Sequence, residues 1–532
     1  MMKKIRSLGV MIDCSRDGVY TLETLKRMFS LLSRMGYTYV ELYTEDVYEL
    51  DGEPCFGYLR GKYSKSDLKE LDAAAKKCGL ELVPCIQTLA HLGGITRWQQ
   101  FRDCTDTGDI LLAGEEKTYA LIEKMFAVCA ECFTSRRINI GMDEAHMVGL
   151  GKYLDKHGYQ NRFEILLKHL QRVTAIAEKY GFSPMMWSDM FFRLANGGEY
   201  YCSGDSVPKE VRELVPKNIS LIYWDYYSAQ PSHYEDMIRA HQQFDNPVVF
   251  AGGAWSWSGF APANRFSLRA NETAIKACLE NGVQDVLITC WKDDGAECSL
   301  FASLPVLFAS AQFARGNFDL QKIAEKFRTF AGIEIEAFLA LDEIDLHPGQ
   351  LCNLSKYLLY SDPFLGFLDR TAIGIEASDF DSVREKLAAG AKSGRYGYIF
   401  RTLIALCDVL ALKATLGLRT REIYRNGNGE ELAQLIEDYR ELERRIDTLY
   451  KYFRAQWDKE CRENGFEYHD IRFGGLTRRI RHCREMLSEY AAGKRKAIPA
   501  LDEDILPFEN RKDGESALYN DWMYTAIIKP KF

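Results

Sequence analysis

From the N-terminus to about residue 315, short β-rich runs and amphipathic helical stretches alternate eight times, and no other feature constrains the fold as much. The runs predict strands near Leu8–Asp13, Tyr39–Tyr43, Glu81–Ile86, Ile138–Gly141, Ser183–Trp187, Ile219–Trp224, Val248–Ala251 and Asp285–Cys290. Alternation of this kind implies a parallel sheet, because parallel neighbours need helical crossovers. Eight strands, apolar on both sides, favour an α/β fold of the closed (β/α)8 TIM-barrel kind over an open, doubly wound sheet.

Beyond residue 320 the alternation stops and long helical patterns take over, at about Tyr396–Tyr424, Glu430–Glu463 and Leu476–Ala492. In the second, Leu432, Leu435, Ile436, Tyr439, Leu442, Ile446, Leu449, Phe453 and Trp457 follow helical spacing, the mark of a buried or interface face. The division expected is a catalytic barrel over 1–319 and an α-helical C-terminal domain over 320–532, with a homodimer contact as one use of that face. Asp470–Gly475 reads as a polar, glycine-containing loop between helices that can approach an active-site mouth.

A net charge of −8 argues against a nucleic-acid partner. No apolar signal core follows the basic N-terminus, and no run reaches the roughly 18 apolar residues of a membrane span, so no membrane partner is expected. Fifteen scattered cysteines, an odd number, suit reduced thiols and a cytoplasmic location. Cys129 and Cys132 form a CxxC without a second pair and read as one helix face in the core.

Barrel active sites lie at the C-terminal ends of the strands. Here those ends carry Asp13 and Arg16, Glu45 and Asp46, Gln87 to His91, Asp143-Glu144, Trp187-Ser188-Asp189, Trp224-Asp225-Tyr226, Trp255-Ser256-Trp257, and Trp291-Lys292-Asp293. Five of the eight tryptophans fall at the ends of the last four strands, which suggests an aromatic pocket with carboxylates and an arginine for hydroxyl groups. That combination points to a sugar. Neighbouring side chains on a strand face opposite sides, so Asp143 and Glu144 can share a site only if the backbone turns, and Gly141 helps it do so. Two carboxylates brought together shift each other's ionisation apart, leaving one able to hold a proton for a leaving-group oxygen.

With these residues in place, the barrel resembles glycoside hydrolase family 20, the β-N-acetylhexosaminidases, in their short form that begins at the barrel. The family's strand-four motif His-x-Gly-Gly-Asp-Glu reads here Asn139-Ile140-Gly141-Met142-Asp143-Glu144, lacking the histidine and the second glycine. Arg16, the Pro84…His91 pattern, Trp187, Trp224 and Trp291-Lys292-Asp293 also match, while Gln87 stands where many members have aspartate. The resemblance implies exo-acting removal of β-linked N-acetylhexosamine by substrate-assisted retention, without metal or cofactor. It implies Glu144 as acid/base and Asp143 as the group that orients the acetamide, with Arg16, His91, Trp187, Trp224, Trp291 and Asp293 binding the sugar, while Tyr226, Trp255 and Trp257 join the sugar-binding set from their places at the strand ends. The tyrosine that binds the acetamide after strand seven in many members has no counterpart in Gly253–Trp257, so the role falls to Tyr226, to Tyr227 or to neither.

Three other readings compete. Asp143-Glu144-Ala145-His146 spells a helicase box, but no phosphate loop precedes it. A metal-dependent barrel hydrolase would use His91, Asp143, Glu144 and His146, and a non-catalytic sugar-binding barrel would keep the tryptophans yet dispense with Glu144.

Overall fold

The computed structural model describes residues 4–202, 207–293, 295–346 and 353–506. Eight parallel strands close into a barrel: β1 Ser7–Asp13, β2 Tyr39–Tyr43, β3 Glu81–Cys85, β4 Arg137–Asn139, β5 Ser183–Trp187, β6 Ser220–Trp224, β7 Val248–Gly253 and β8 Asp285–Cys290. Each strand pairs with its neighbours in sequence, and β1 closes on β8 through Ser7↔Asp285 to Ile12↔Cys290. The eight strands expected from the alternation are all present, with ends shifted by one or two residues.

Capping residues fix where the crossover helices begin and end. Thr21 accepts the Thr24 N–H to open helix Leu22–Met35, and Gly36 closes it at φ 87°. Ser64 and Asp67 form a reciprocal capping box on helix Lys65–Lys77. At the N-terminal end of the barrel, Arg137 ties four strands together. It pairs with Glu81 at 2.7 Å and Asp285 at 3.4 Å and lies 4.1 Å from the Tyr39 ring centre. That end is closed by charge pairing, which leaves the opposite end for ligands. A small antiparallel hairpin, Thr105–Thr107 with Ile110–Leu111, was not expected from the sequence. Among the described residues no helix is long and apolar enough to cross a membrane.

The chain forms two compact units: residues Met1–Ala254, Phe266–Trp291 and Val306–Ile323, and residues Trp255–Arg265, Lys292–Pro305 and Ala324–Phe532. The second is helical, and its longest helix, Gly429–Glu460, buries Leu432, Leu435, Tyr439, Leu442, Ile446, Leu449, Phe453 and Trp457. The stretch expected as one helix, Tyr396–Tyr424, is two, Gly397–Lys413 and Leu416–Asn426.

Asp470–Gly475 is not a loop; it lies within helix Phe466–Ala491. Two glycines in a helix cost about 1 kcal/mol each relative to alanine. Packing outweighs that here: Phe466 and Phe473 pack 5.6 and 6.0 Å from Phe453, and His469 5.2 Å from Trp457. Arg472, on this helix, pairs with buried Glu297 at 3.5 Å, and Glu297 also pairs with buried Lys356 at 2.8 Å.

Candidate active site

Asn139, the last residue of β4, begins the construction of the site. Its Oδ1 accepts the Gly141 N–H and its Nδ2 donates to Glu41, so the side chain bridges the barrel interior and the turn above it. The backbone then passes through left-handed conformations at Gly141 (φ 73°), Met142 (φ 74°) and Glu144 (φ 51°). This is the turn that brings two adjacent carboxylates to one side.

Gly141 is required twice over. Its φ suits glycine, and a Cβ there would lie 2.0 Å from Gln87 Oε1. Met142, in place of the family's second glycine, accepts a left-handed conformation costing about 1–2 kcal/mol. Its side chain is fully buried, and burying a side chain of that size stabilises by about 1.5–3 kcal/mol, enough to hold the strained turn.

Gln87 organises Asp143. Its Nε2 donates to Asp143 Oδ1 at 2.7 Å and to the Tyr43 hydroxyl at 3.2 Å, while its Oε1 accepts the Met142 N–H. The amide thus does with neutral donors what an aspartate could do only by sharing a proton. His91, itself at φ 57°, places Nε2 3.3 Å from Asp143 Oδ2 and 3.7 Å from Glu144 Oε2. Burial pulls this imidazole down, but the Asp143 carboxylate overrides it and raises the group to about 10. Asp143 shows the reciprocal balance: burial pushes it up, and the His91 charge with the Gln87 bond holds it below the usual carboxylate range. The ionised member of the pair is therefore set by His91 and Gln87, not by mutual repulsion alone.

Glu144 is the more open carboxylate, with its side chain 41 % exposed against 10 % for Asp143. Its Oε1 lies 3.6 Å from Arg193 Nη2, and its backbone N–H donates to Asp189 Oδ2 at 3.0 Å. Arg193 Nε donates to that same oxygen at 3.1 Å. Asp189 is completely buried, and burial together with the Asp143 charge raises it to about 7. Neither Asp189 nor Arg193 was assigned a role from the sequence. Their i, i+4 spacing on helix Asp189–Ala195 was the available signal.

On the opposite flank Arg16 lies 3.5 Å from Asp13 and 3.7 Å from Glu45, and Tyr43 donates to Glu45 at 3.0 Å. The aromatic residues join into one cluster. Trp291 meets Tyr43 edge-on at 4.7 Å and Trp187 at 5.9 Å, and its Nε1 donates to the Tyr226 hydroxyl at 3.0 Å. Tyr226 stacks on Trp224 at 5.4 Å. Tyr227, the other acetamide candidate, is exposed, and its N–H donates to Asp225.

Arg16, His91, Asp143, Glu144, Trp187, Trp224, Tyr226 and Trp291 thus all belong to the barrel unit, at the ends of its strands. Trp255 and Trp257 pack on each other at 4.9 Å, and they and Asp293 belong to segments of the second unit. Among the described residues no three His, Cys, Asp or Glu side chains converge as a metal-ligand set.

Comparison with known proteins bears on this arrangement. The model of the glycosyl hydrolase family 20 catalytic domain matches residues 33–244, and that of the glycoside hydrolase 20C C-terminal domain matches residues 336–520. Human Hexosaminidase D is 24% identical over 333 residues, covering 58% of this chain and 66% of that protein, just under two thirds. The Bos taurus Hexosaminidase D is 23% identical over 269 residues, covering 49% of this chain and 73% of the relative. A β-N-acetylhexosaminidase from Bacteroides fragilis, 18% identical, aligns over 62% of this chain and 71% of its own, with a TM-score of 0.48. With both domain models matched in order along it, the chain belongs to glycoside hydrolase family 20.

Proposed function

We propose that the enzyme is an exo-acting β-N-acetylhexosaminidase that removes terminal β-linked GlcNAc or GalNAc by substrate-assisted, retaining hydrolysis. The observation that carries this reading is the turn at Gly141–Glu144, which sets one carboxylate held ionised beside another that is open to solvent. Support comes from the aromatic cluster of Trp187, Trp224, Tyr226 and Trp291 and from the two Hexosaminidase D relatives.

In this mechanism the substrate's acetamido oxygen attacks C1 as the C1–O bond to the leaving group breaks. Glu144 gives its proton to the departing oxygen, and a bicyclic oxazolinium ion forms. Asp143, kept anionic by His91 and Gln87, accepts the acetamido N–H and offsets the positive charge developing there. Water then adds to C1, Glu144 takes its proton, and the bond from C1 to the acetamido oxygen reopens with the β configuration restored. Clamping the acetamide between aromatic faces fixes the angle of attack, a proximity effect. Tyr226, whose hydroxyl accepts from Trp291, is the proposed partner of the acetamido oxygen.

The proposed division of labour places catalysis on residues 1–319 and leaves 320–532 as the helical domain, in a cytoplasmic protein that can pair through that domain. The deciding experiment compares 4-nitrophenyl β-N-acetylglucosaminide with the β-glucoside that lacks the acetamide. Hydrolysis of the first alone, blocked by a thiazoline mimic of the bicyclic ion, is expected. Equal rates on both would sink the substrate-assisted mechanism.

A further inference from the structure

Three carboxylates and two cations meet behind the scissile-bond position. Asp143, Glu144 and Asp189 carry the negative charge, and His91 and Arg193 the positive. The two cations flank Glu144, one near each oxygen: His91 at 3.7 Å from Oε2 and Arg193 at 3.6 Å from Oε1. Two cations beside a carboxylate favour its anion, which helps a base but works against an acid. A residue asked to donate a proton first and accept one later needs that field moderated.

Asp189 is placed to do so. It is fully buried, and its Oδ2 takes both the Arg193 Nε–H and the Glu144 N–H. Among the described residues its Oδ1 has no hydrogen-bond partner. A wholly buried carboxylate left half-satisfied is costly, so its charge and its proton both matter energetically. Arg193 is fixed in place by further contacts: its Nη1 donates to the Gly198 carbonyl at 3.1 Å, and its guanidinium lies 5.8 Å from the Trp224 ring centre. A cation held this firmly cannot swing away from Glu144 when the charge balance changes.

We propose that Asp189 is a positioning residue which, by neutralising Arg193, lets Glu144 keep a proton when the leaving group departs. The inference rests on Glu144 being the acid/base of the proposed reaction. With Asp189 ionised, Arg193 is matched, and Glu144 can hold a proton until the leaving-group oxygen takes it. Asp189 keeps its charge through that transfer, and the proton that returns to Glu144 comes from the attacking water. The groups facing this pair are Asp143 and His146 from the same turn, His91 from the segment after β3, and Arg193 and Tyr200 from the segments after β5.

The test is a set of pH–kcat profiles on 4-nitrophenyl β-N-acetylglucosaminide and on a disaccharide with a poor leaving group. Asp189→Asn keeps an acceptor for the Glu144 N–H but leaves Arg193 unopposed, so the alkaline limb is expected to move about one pH unit toward acid. The disaccharide should lose more kcat than the nitrophenyl substrate, with KM little changed. Arg193→Gln should move the limb the other way, and the double variant should return it toward the wild-type position. Limbs that stay put in both single variants, or equal losses on both substrates, would overturn the proposal. If the wild-type enzyme itself fails to hydrolyse the N-acetylglucosaminide, the functional reading fails instead, so the two failures are distinguishable.

Discussion

The His91–Asp143 contact makes a prediction about stability as well as catalysis. Burial pulls the His91 imidazole down, and the Asp143 carboxylate, prevailing, raises it from 6.5 to about 10 on folding. A basic group so raised stabilises the folded state fully below its unfolded value and loses that contribution as pH rises through the folded one. The wild-type enzyme should therefore be more heat-stable than His91→Gln at pH 6, with the difference shrinking steadily toward pH 10. Melting temperatures of both proteins across that range check it, and a constant gap would contradict the assignment. At this scale the sequence revealed the acids but not their supports. Asp143 and Glu144 announced themselves as adjacent carboxylates behind a glycine at a strand end. Gln87 and Asp189 stood out only as strand-end residues and Arg193 only by its i, i+4 spacing from Asp189, because a side chain that acts by touching another one does not show its role in the sequence. Asn139 and Met142 looked like losses from a family motif, yet one bridges Gly141 to Glu41 and the other is fully buried.

Among the elements, the strands were the most legible, since each is a short apolar run bounded by turn residues and their ends shifted by no more than two positions. Helix Phe466–Ala491 was the least legible at its start, because Gly474-Gly475 is a local breaker and only tertiary packing of Phe466, His469 and Phe473 reveals that the helix continues. No atom lies within 4 Å of a Cβ built on either glycine. Gly474→Ala and Gly475→Ala are therefore each expected to stabilise the helical unit by about 0.5–1 kcal/mol, with unchanged kcat/KM. The midpoint of its denaturant transition is the measurement, and a fall in that midpoint would show that the glycines serve a close contact.

For the molecule as a whole, the alternation gave the barrel but not how the second unit draws on the chain. That unit takes in Trp255–Arg265 and Lys292–Pro305, the stretches that follow β7 and β8. Within it Glu460 accepts from Ser299 and from the Leu300 N–H, Gln456 donates to the Glu297 carbonyl, and His469 meets the Gly295 carbonyl. Such pairings join residues far apart in sequence, which periodicity cannot register. A chain ending at residue 319 would leave Glu297 without Lys356, and breaking a buried ion pair costs about 3–5 kcal/mol. It would also take Phe453 away from buried Phe260, whose ring lies 5.4 Å off, and Glu460 away from Ser299 and the Leu300 N–H. Such a chain is expected to bind a hydrophobic dye and melt at lower temperature than the 532-residue protein; equal melting temperatures and full activity would refute this.

The same threading sets a timetable during synthesis. Glu297 leaves the ribosome 175 residues before Arg472, a lag of roughly 10–35 s at cellular elongation rates. Through that interval the stretches after β7 and β8 are already made while the helices that bind them are not. The apolar residues of those stretches therefore lack their partners until helix Phe466–Ala491 emerges.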